Sequence, residues 1–207
     1  MLDKEVILVG YSGHAYVVAD AILGIGLNIV GYSDKEETNS NPYNLTYLGF
    51  ERDIDFIGWS KEIPFVLGIG DNKLRQKISN LIQENGKEVQ TIIDKTAVVS
   101  ENVSIGAGSF INRNVTVNSL VKIGKNVILN TGCIIEHECI LQNSVHIAPG
   151  AVLAGNVTIG ERSFVGANSV VKQGVNIGKD VVIGAGSVII ADIPDGKKVV
   201  GNPGRII

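Results

Sequence analysis

Several features are scarce or missing in this chain of 207 residues, and each excludes a class of protein. No run of eighteen or more apolar residues occurs, so no segment is long enough for a transmembrane helix. The net charge of −3 gives no support for a nucleic-acid-binding surface. The N-terminal segment MLDKEVILVG has early acidic residues and no small-residue cleavage site, unlike a signal peptide. We therefore expect a cytoplasmic protein whose partners include neither a membrane nor a nucleic acid.

Cysteine and histidine are also scarce. The two cysteines, Cys133 and Cys139, fall at small inward positions of the repeat described below, which predicts packing residues in a reducing compartment. The three histidines are His14, His137 and His146. A catalytic zinc site typically uses three protein ligands, and the repeat supplies only two histidines, so we expect no metal.

The second half of the chain contains a six-residue repeat. From Ile93 to Ile189, one position in six is always Ile, Leu or Val. Four residues after each lies a small or β-branched residue, such as Val103 or Ser163. A period of six fits neither the 3.6 residues per turn of a helix nor the alternation of a strand. It is typical of a parallel β-helix, in which each hexapeptide forms a short strand and a turn.

Stacked turns would bury a continuous rod of aliphatic side chains, with three hexapeptides in each triangular turn. The repeat is long enough for between five and six turns. The residue after each large one is often Gly or Asn, as at Gly106, Asn112 and Gly160, and we expect it to adopt the tight corner dihedrals. The repeat alone leaves the hand of the coil open, and general connection rules favour right-handed crossovers.

The first ninety residues follow another pattern. Apolar strands are expected at residues 5–9, 28–32 and 64–69, alternating with helices at 15–23 and 73–84. This alternation is typical of a small parallel, Rossmann-like α/β sheet. The sequence thus predicts an α/β domain over residues 1–91 and a β-helix domain over residues 92–207.

The first predicted strand ends in the segment Gly10-Tyr-Ser-Gly-His-Ala15. A strand, a glycine turn and a helix N-terminus together offer backbone N–H groups to a phosphate. The segment departs from G-x-G-x-x-G, so it is a weak dinucleotide fingerprint. Asp34, after the second strand, could accept hydrogen bonds from a ribose or a base. So short a sheet favours a mononucleotide or a nucleotide sugar, and a tight turn without a ligand is the alternative.

None of the three histidines falls on an apolar face, and both His137 and His146 are expected to point out of the rod. They are nine residues apart, half a coil, so one subunit cannot bring them together, whereas a symmetric trimer could. His137 is flanked by Glu136 and Glu138. A neighbouring carboxylate can hold an imidazole in one tautomer and stabilise its charged form, which favours a general base. A solvated Glu-His-Glu surface without a function is the alternative.

Essentially the whole chain resembles the hexapeptide-repeat acyltransferases with a left-handed β-helix. It is most similar to the branch of sialic acid O-acetyltransferases and of nucleotide-sugar N-acetyltransferases of bacillosamine and perosamine synthesis. The matching segments are V-G-Y-S-G-H-A at 9–15, G-Y-S-D at 31–34, G-I-G-D-N-K-L-R at 68–75, I-L-N-T-G-C-I-I-E-H-E-C at 128–139, V-H-I-A-P-G-A-V-L-A-G-N-V at 145–157 and V-G-N-P-G-R at 200–205.

The resemblance implies a homotrimer that uses acetyl-CoA as co-substrate, without a metal. It implies that His137 is the general base, that Glu138 orients it and that Asn130 is an active-site asparagine. It further implies that His146 contacts the thioester region from the neighbouring subunit. Backbone groups lining the pantetheine groove are implied near Gly155, Ala167 and Ala185.

For the acceptor, the resemblance implies a nucleotide-sugar pocket formed by Ser12, Gly13, His14, Asp34 and Gly70. The first three would hold the phosphates and Asp34 would read the base. Lys35 follows Asp34 where a second Asp is usual, which leaves uracil or thymine open as the base. Gly204 also departs from the family, which usually has Ala there.

The expected activity is transfer of an acetyl group to the 4-amino group of a UDP- or dTDP-linked amino-deoxy sugar for a surface glycan such as lipopolysaccharide or capsule. A sialic acid O-acetyltransferase and a zinc-dependent, γ-type carbonic anhydrase-like protein are the alternatives. The glycine segment and Asp34 favour a nucleotide-linked acceptor over a free sugar. The sugar, its C4 stereochemistry, and whether Glu136 or Glu138 orients His137 remain open.

Overall fold

The computed structural model describes residues 5–207 and begins with a three-stranded parallel sheet. Its strands, in the order β2-β1-β3, are β1 (Glu5–Val9), β2 (Asn28–Ser33) and β3 (Phe65–Leu67). The helices are α1 (Gly13–Gly24), α2 (Asn72–Glu84) and a short 3-10 helix (Ile57–Ser60). The predicted α/β domain is therefore confirmed. Among the described residues, no helix has both the length and the apolar character needed to cross a membrane.

Strand β1 is buried on both sides because the two helices lie on opposite faces of the sheet. Val6 and Leu8 pack in the cluster that contains α1, whereas Ile7 and Val9 pack in the cluster that contains α2. A parallel strand covered on both faces is expected to be apolar throughout, as residues 5–9 nearly are. The glycine turn and the start of α2 therefore meet at the carboxyl ends of β1 and β3.

The rest of the chain forms a parallel β-helix with three faces made of short strands. Face 1 contains Ile92–Ile93, Phe110–Ile111, Ile128–Leu129, His146–Ile147, Phe164–Val165, Val182–Ile183, Lys198–Val200 and Arg205–Ile206. Face 2 contains Val98–Val99, Thr116–Val117, Ile134–Ile135, Val152–Leu153, Val170–Val171 and Val188–Ile189. Face 3 contains Ser104–Ile105, Lys122–Ile123, Ile140–Leu141, Thr158–Ile159 and Asn176–Ile177. The solenoid has between five and six turns, as predicted.

The predicted large inward positions form the core of the rod. From Ile111 to Ile189 every one of them is at most 4% exposed. Ile93 is 37% exposed, against the prediction, and Val99 and Ile105 are only partly buried. These three residues belong to the first turn, which has a neighbouring turn on one side only.

Polar residues at the small inward positions satisfy their hydrogen bonds inside the rod. The Ser163 hydroxyl donates to the carbonyl of Gly178 at 2.7 Å, and the Cys139 thiol donates to that of Ala154 at 3.2 Å. Burial raises the pKa of the Cys133 thiol to about 12, and it also raises the pKa of Cys139. Both free cysteines are buried and protonated, in agreement with the predicted packing role.

The predicted cause of the glycines and asparagines at the corners is wrong. From Ile105 to Ile183, left-handed backbone occurs three residues after each large inward residue, for example at Asn114 and Gly150, and not directly after it. The residues directly after it, such as Gly106 and Gly160, are small for another reason. A Cβ at either position would overlap the backbone of the next turn. The pattern therefore reflects close packing between turns.

The α/β domain covers face 1 of the rod. The outward residues Ile92, Phe110 and Ile128 are buried and belong to the same apolar cluster as α1. Val89 still pairs with Phe65 of β3, so the change of architecture lies between Val89 and Ile92. The two parts of the chain share one apolar junction on face 1.

Candidate active site

His137 and Glu138 lie at the corner between faces 2 and 3. The Nδ1 atom of His137 is 3.0 Å from Oε2 of Glu138, and the two side chains are 50% and 56% exposed. An ionised carboxylate can only accept hydrogen bonds, so Nδ1 carries the proton and Nε2 is the basic nitrogen. Glu138, rather than Glu136, therefore contacts the imidazole.

Gly155 lies one turn further along the same corner, beneath the imidazole of His137. A Cβ at residue 155 would overlap the ring, so the ring occupies this position only because residue 155 has no side chain. Glu138 itself has left-handed backbone, with φ 62°, which glutamate adopts rarely. Unfavourable backbone at a residue that holds a histidine is typical of functional sites.

Asn130 and His146 form a second cluster, at the corner between faces 1 and 2. The Nδ2 atom of Asn130 is 3.3 Å from Nε2 of His146, and the Oδ1 atom of Asn130 accepts from Asn112 at 2.9 Å. An amide nitrogen only donates, so Nε2 of His146 is an acceptor and Nδ1 carries the proton. The His146 ring also packs edge-on against Phe164, with centroids 5.1 Å apart.

His146 points out of the rod as predicted, but it is only 9% exposed. The expectation that no histidine falls on an apolar face is wrong for this residue. Face 1 is apolar and the α/β domain covers it, so His146 lies in the junction with His14, their ring centroids 6.1 Å apart. Sequence reasoning missed this because a single strand does not reveal which face of a rod another domain covers.

Burial keeps both junction histidines uncharged at neutral pH. Burial, and secondly the charge of Arg75, lower the pKa of His14 to about 4 and that of His146 to about 3. The ring of His14 faces Phe110 on the rod, and its Nε2 atom is buried without a hydrogen-bond partner in the described chain. His14 therefore contributes no positive charge to a phosphate at neutral pH.

Ser12, Asp34 and Gly70 line one cavity of about 270 Å³ at the carboxyl ends of the strands. The Ser12 side chain does not cap α1, which leaves the first N–H groups of that helix free. A Cβ at Gly13 would meet no atom within 4 Å, and one at Gly70 would meet only His14 at ordinary contact distance. The fold does not require glycine at either position, whereas close approach of a ligand would.

Asp34 is less free than the sequence suggests. Its two carboxylate oxygens accept backbone N–H groups, from Tyr11 at 2.8 Å and from Lys35 at 2.7 Å. The carboxylate therefore fixes the glycine turn as well as lining the cavity. A second carboxylate at the cavity wall, Glu51, is 4% exposed and accepts a hydrogen bond from Ser33 at 2.6 Å. Glu51 was not predicted, because no motif contains it.

The structure groups the predicted residues in three places. His137, Glu138 and Gly155 lie at one corner of the rod, and Asn130 lies at another, the corner that also contains Ala167 and Ala185. The cavity of the α/β domain forms the third place. A larger cavity of about 820 Å³ lies between α2 and residues 51–59 and contains none of the predicted residues. Within residues 5–207, no three His, Cys, Asp or Glu side chains converge to hold a metal ion.

Comparison with known proteins identifies both parts of the chain. Residues 5–82 match the PglD N-terminal domain, and residues 156–191 match the hexapeptide repeat of succinyl-transferase. An uncharacterized protein, L142 of Acanthamoeba polyphaga mimivirus, is 33% identical over 106 residues. That match covers 51% of this chain and 21% of L142, so the chain spans about a fifth of that curated relative.

Solved structures match nearly the whole chain. The acetyltransferase domain of PglB from Neisseria gonorrhoeae, solved with acetyl coenzyme A, is 30% identical, with a TM-score of 0.92 over 99% of this chain and 100% of that one. Perosamine N-acetyltransferase from Caulobacter crescentus, a histidine-to-asparagine mutant solved with CoA and GDP-perosamine, is 32% identical, with a TM-score of 0.93 over 98% and 96%. WeeI from Acinetobacter baumannii is 25% identical, with a TM-score of 0.88 over 98% and 99%.

These matches confirm the resemblance seen in the sequence. They include an α/β domain of the PglD type, a hexapeptide-repeat β-helix and relatives solved with acetyl-CoA or CoA. The chain therefore belongs to the family of hexapeptide-repeat acetyltransferases with a PglD N-terminal domain.

Proposed function

We propose that this protein transfers the acetyl group of acetyl-CoA to the 4-amino group of a UDP- or dTDP-linked amino-deoxy sugar used in a surface glycan. The observation that carries the proposal is the hydrogen bond between His137 and Glu138, which leaves Nε2 of His137 basic and exposed above Gly155. The relatives solved with acetyl-CoA, and with CoA and GDP-perosamine, support the two classes of substrate.

In the proposed mechanism, the sugar amine attacks the thioester carbonyl directly, without an acyl-enzyme. The C–N bond forms and the C–S bond breaks, while Nε2 of His137 takes the proton of the amine and passes it to the CoA thiolate. Glu138 stabilises the imidazolium through Nδ1. A positioned general base typically raises the rate about 10²- to 10⁴-fold. A backbone N–H is a better oxyanion donor than His146, whose Nε2 is an acceptor for Asn130.

We further propose that the active form is a homotrimer built on face 2. The outward residues of this face form an apolar ladder that the described chain leaves uncovered, with Val98 65%, Ile134 36% and Val170 40% exposed. Such a contiguous exposed apolar patch is typical of an interface. Face 3, by contrast, is polar at four of its five equivalent positions and has one exposed aliphatic residue, Ile140. The four polar residues are Ser104, Lys122, Thr158 and Asn176.

Face 2 separates the corner of His137 from the corner of Asn130. If three copies turn this face toward a threefold axis, the His137 corner of one rod meets the Asn130 corner of the next, in a closed heterologous ring. Gly155 from one rod and the small residues Ala167 and Ala185 from the other would then line one groove. This arrangement unites residues that a single rod keeps apart.

The proposal is tested by measuring thiol release from acetyl-CoA with UDP-, dTDP- and GDP-linked amino sugars and with free sialic acid. We expect turnover with a nucleotide-linked 4-amino sugar, and His137→Ala should lower its kcat at least about 100-fold without changing either KM more than about twofold. Glu136→Gln is the matched control, because Glu136 does not contact the ring and should retain activity. Full activity of His137→Ala, or turnover of free sialic acid alone, would contradict the proposal.

A further inference from the structure

Arg75, in the first turn of α2, is a buried cation without a carboxylate partner. Its side chain is 1% exposed and is the largest fully buried side chain in the described chain. No ion pair within 4.0 Å joins it to a carboxylate of residues 5–207, and burial lowers its pKa to about 9. Buried charges are normally paired, so an unpaired one needs an explanation.

The guanidinium of Arg75 binds carbonyl groups from both parts of the chain. It donates to the carbonyls of Asn126 at 2.8 Å and Ser144 at 2.9 Å on the rod. It also donates to the carbonyls of Ile69 at 3.2 Å and Gly70 at 2.9 Å, in the turn between β3 and α2. This turn lines the cavity of about 270 Å³ that also contains Ser12 and Asp34.

These contacts fix the direction of two peptide groups. In a trans peptide, the C=O and N–H bonds point in opposite directions. Because Arg75 binds the carbonyls of Ile69 and Gly70, the N–H groups of Gly70 and Asp71 point away from Arg75. Neither N–H has an acceptor in the described chain, and both residues line the cavity that also contains Ser12.

We propose that Arg75 is a positioning residue for the phosphates of the nucleotide substrate, which it does not touch. It holds the N–H groups of Gly70 and Asp71 toward the cavity, opposite the free N–H groups at the start of α1. The bound diphosphate then supplies a negative charge near Arg75, which has no carboxylate partner within residues 5–207. Successive backbone N–H groups that converge in this way form an anion-binding concavity. The inference rests on the proposed function, since it concerns a nucleotide-linked acceptor.

The first test measures binding of UDP, dTDP and GDP, and the KM values for acetyl-CoA and the nucleotide sugar, in Arg75→Met. We expect nucleotide affinity to fall about tenfold or more and the KM of the nucleotide sugar to rise in parallel, while the KM of acetyl-CoA stays within about twofold. Arg75→Lys should recover part of the loss. Arg162→Gln is the control, because it removes a junction bond to Gln76 and two ion pairs on the rod, to Glu161 and Asp180, but no hydrogen bond to the turn.

A second pair of variants keeps the test decisive if Arg75→Met does not fold. Asp71 has φ −67°, which proline adopts, so Asp71→Pro removes one N–H of the turn with little change in backbone. Asp71→Ala removes the same helix-capping carboxylate but keeps the N–H. We expect Asp71→Pro to bind nucleoside diphosphates about tenfold more weakly than Asp71→Ala.

Equal nucleotide affinity in these two variants, or an Arg75→Met variant that binds as wild type does, would overturn the inference and leave the proposed function intact. A wild-type protein that acetylates a free sugar and binds none of the three nucleoside diphosphates would overturn both. An equal rise in the KM of acetyl-CoA and the KM of the nucleotide sugar in Arg75→Met would also overturn the inference, because it would assign Arg75 a structural role only.

Discussion

At the scale of single residues, the candidate base His137 is held by Glu138, a residue whose left-handed backbone is unfavourable for glutamate. Most non-glycine residues in the left-handed corners of the rod are Asn or Asp, which tolerate that region, whereas Glu138 is one of the exceptions. Its carboxylate is the one that reaches His137. A residue that suits the fold better would lose this contact, so we infer that the corner trades stability for orientation of the imidazole.

Glu138→Asn should therefore raise stability and lower activity. Asn accepts left-handed backbone more readily, and we expect about 1 kcal/mol of added unfolding free energy. Its shorter, neutral side chain neither reaches Nδ1 nor stabilises an imidazolium, so kcat should fall at least about tenfold. Thermal unfolding and thiol release on the same preparations measure the two effects. Glu138→Gln, which retains the length of the side chain, separates charge from strain, and a fall in both stability and activity for Glu138→Asn would contradict the idea.

The same scale shows what the sequence could and could not predict. Choosing between Glu138 and Glu136 requires knowing which of the two residues takes the left-handed corner. The Asn at position 114 and its equivalents every six residues mark that corner, three residues after the inward aliphatic, and Glu138 occupies the same phase. That phase is present in the sequence, but the glycines directly after the aliphatic residues form a second six-residue pattern, which predicts the corner at a different position.

At the scale of elements, the junction between α1 and face 1 was the least predictable feature. A six-residue period treats the three faces as equivalent. An eighteen-residue spacing distinguishes them, because the outward positions of face 1 are large and mostly apolar from the first turn to the sixth: Ile92, Phe110, Ile128, His146, Phe164 and Val182. This signal could have predicted that face 1 is covered, and hence that His146 is buried.

The buried histidines of this junction should make the protein sensitive to acid. His14 and His146 have pKa values of about 4 and 3 in the folded chain, against an ordinary value of 6.5. Between pH 6.5 and about 4 the unfolded chain therefore binds more protons than the folded chain, so stability falls as the pH falls. Each histidine should remove about 2 to 3 kcal/mol of unfolding free energy by pH 4.5, at about 1.4 kcal/mol per pKa unit.

Urea unfolding at pH 7 and at pH 4.5 measures this loss. In the double variant His14→Gln and His146→Gln the junction cannot titrate, so the difference between the two pH values should shrink by most of that amount. Carboxylates contribute equally to both proteins and cancel in the comparison. An identical pH dependence in the variant would show that the junction histidines are not the cause.

At the scale of the whole molecule, one chain contains two incomplete halves of the candidate site. The hexapeptide pattern predicts the rod and places His137 and His146 half a turn apart, and the structure agrees with that separation. The sequence leaves the role of face 2 open, because its outward positions are mostly aliphatic like those of face 1 and the repeat does not indicate whether the α/β domain or another copy covers a given face. Their exposure in the folded chain is the observation on which the proposed trimer rests.

Mixing inactive variants tests whether the site is shared between copies. His137→Ala and Asn130→Ala should each lose most activity, yet trimers refolded from an equal mixture should regain roughly a quarter of wild-type turnover. The reason is that a heterologous ring forms about one site in four from the intact His137 corner of one chain and the intact Asn130 corner of the next. Val170→Asp, which places a charge on face 2, should yield folded single copies without turnover, as measured by light scattering and thiol release. No recovery in the mixture, or an active monomer, would show that the site is not shared between copies and would overturn the proposed trimer.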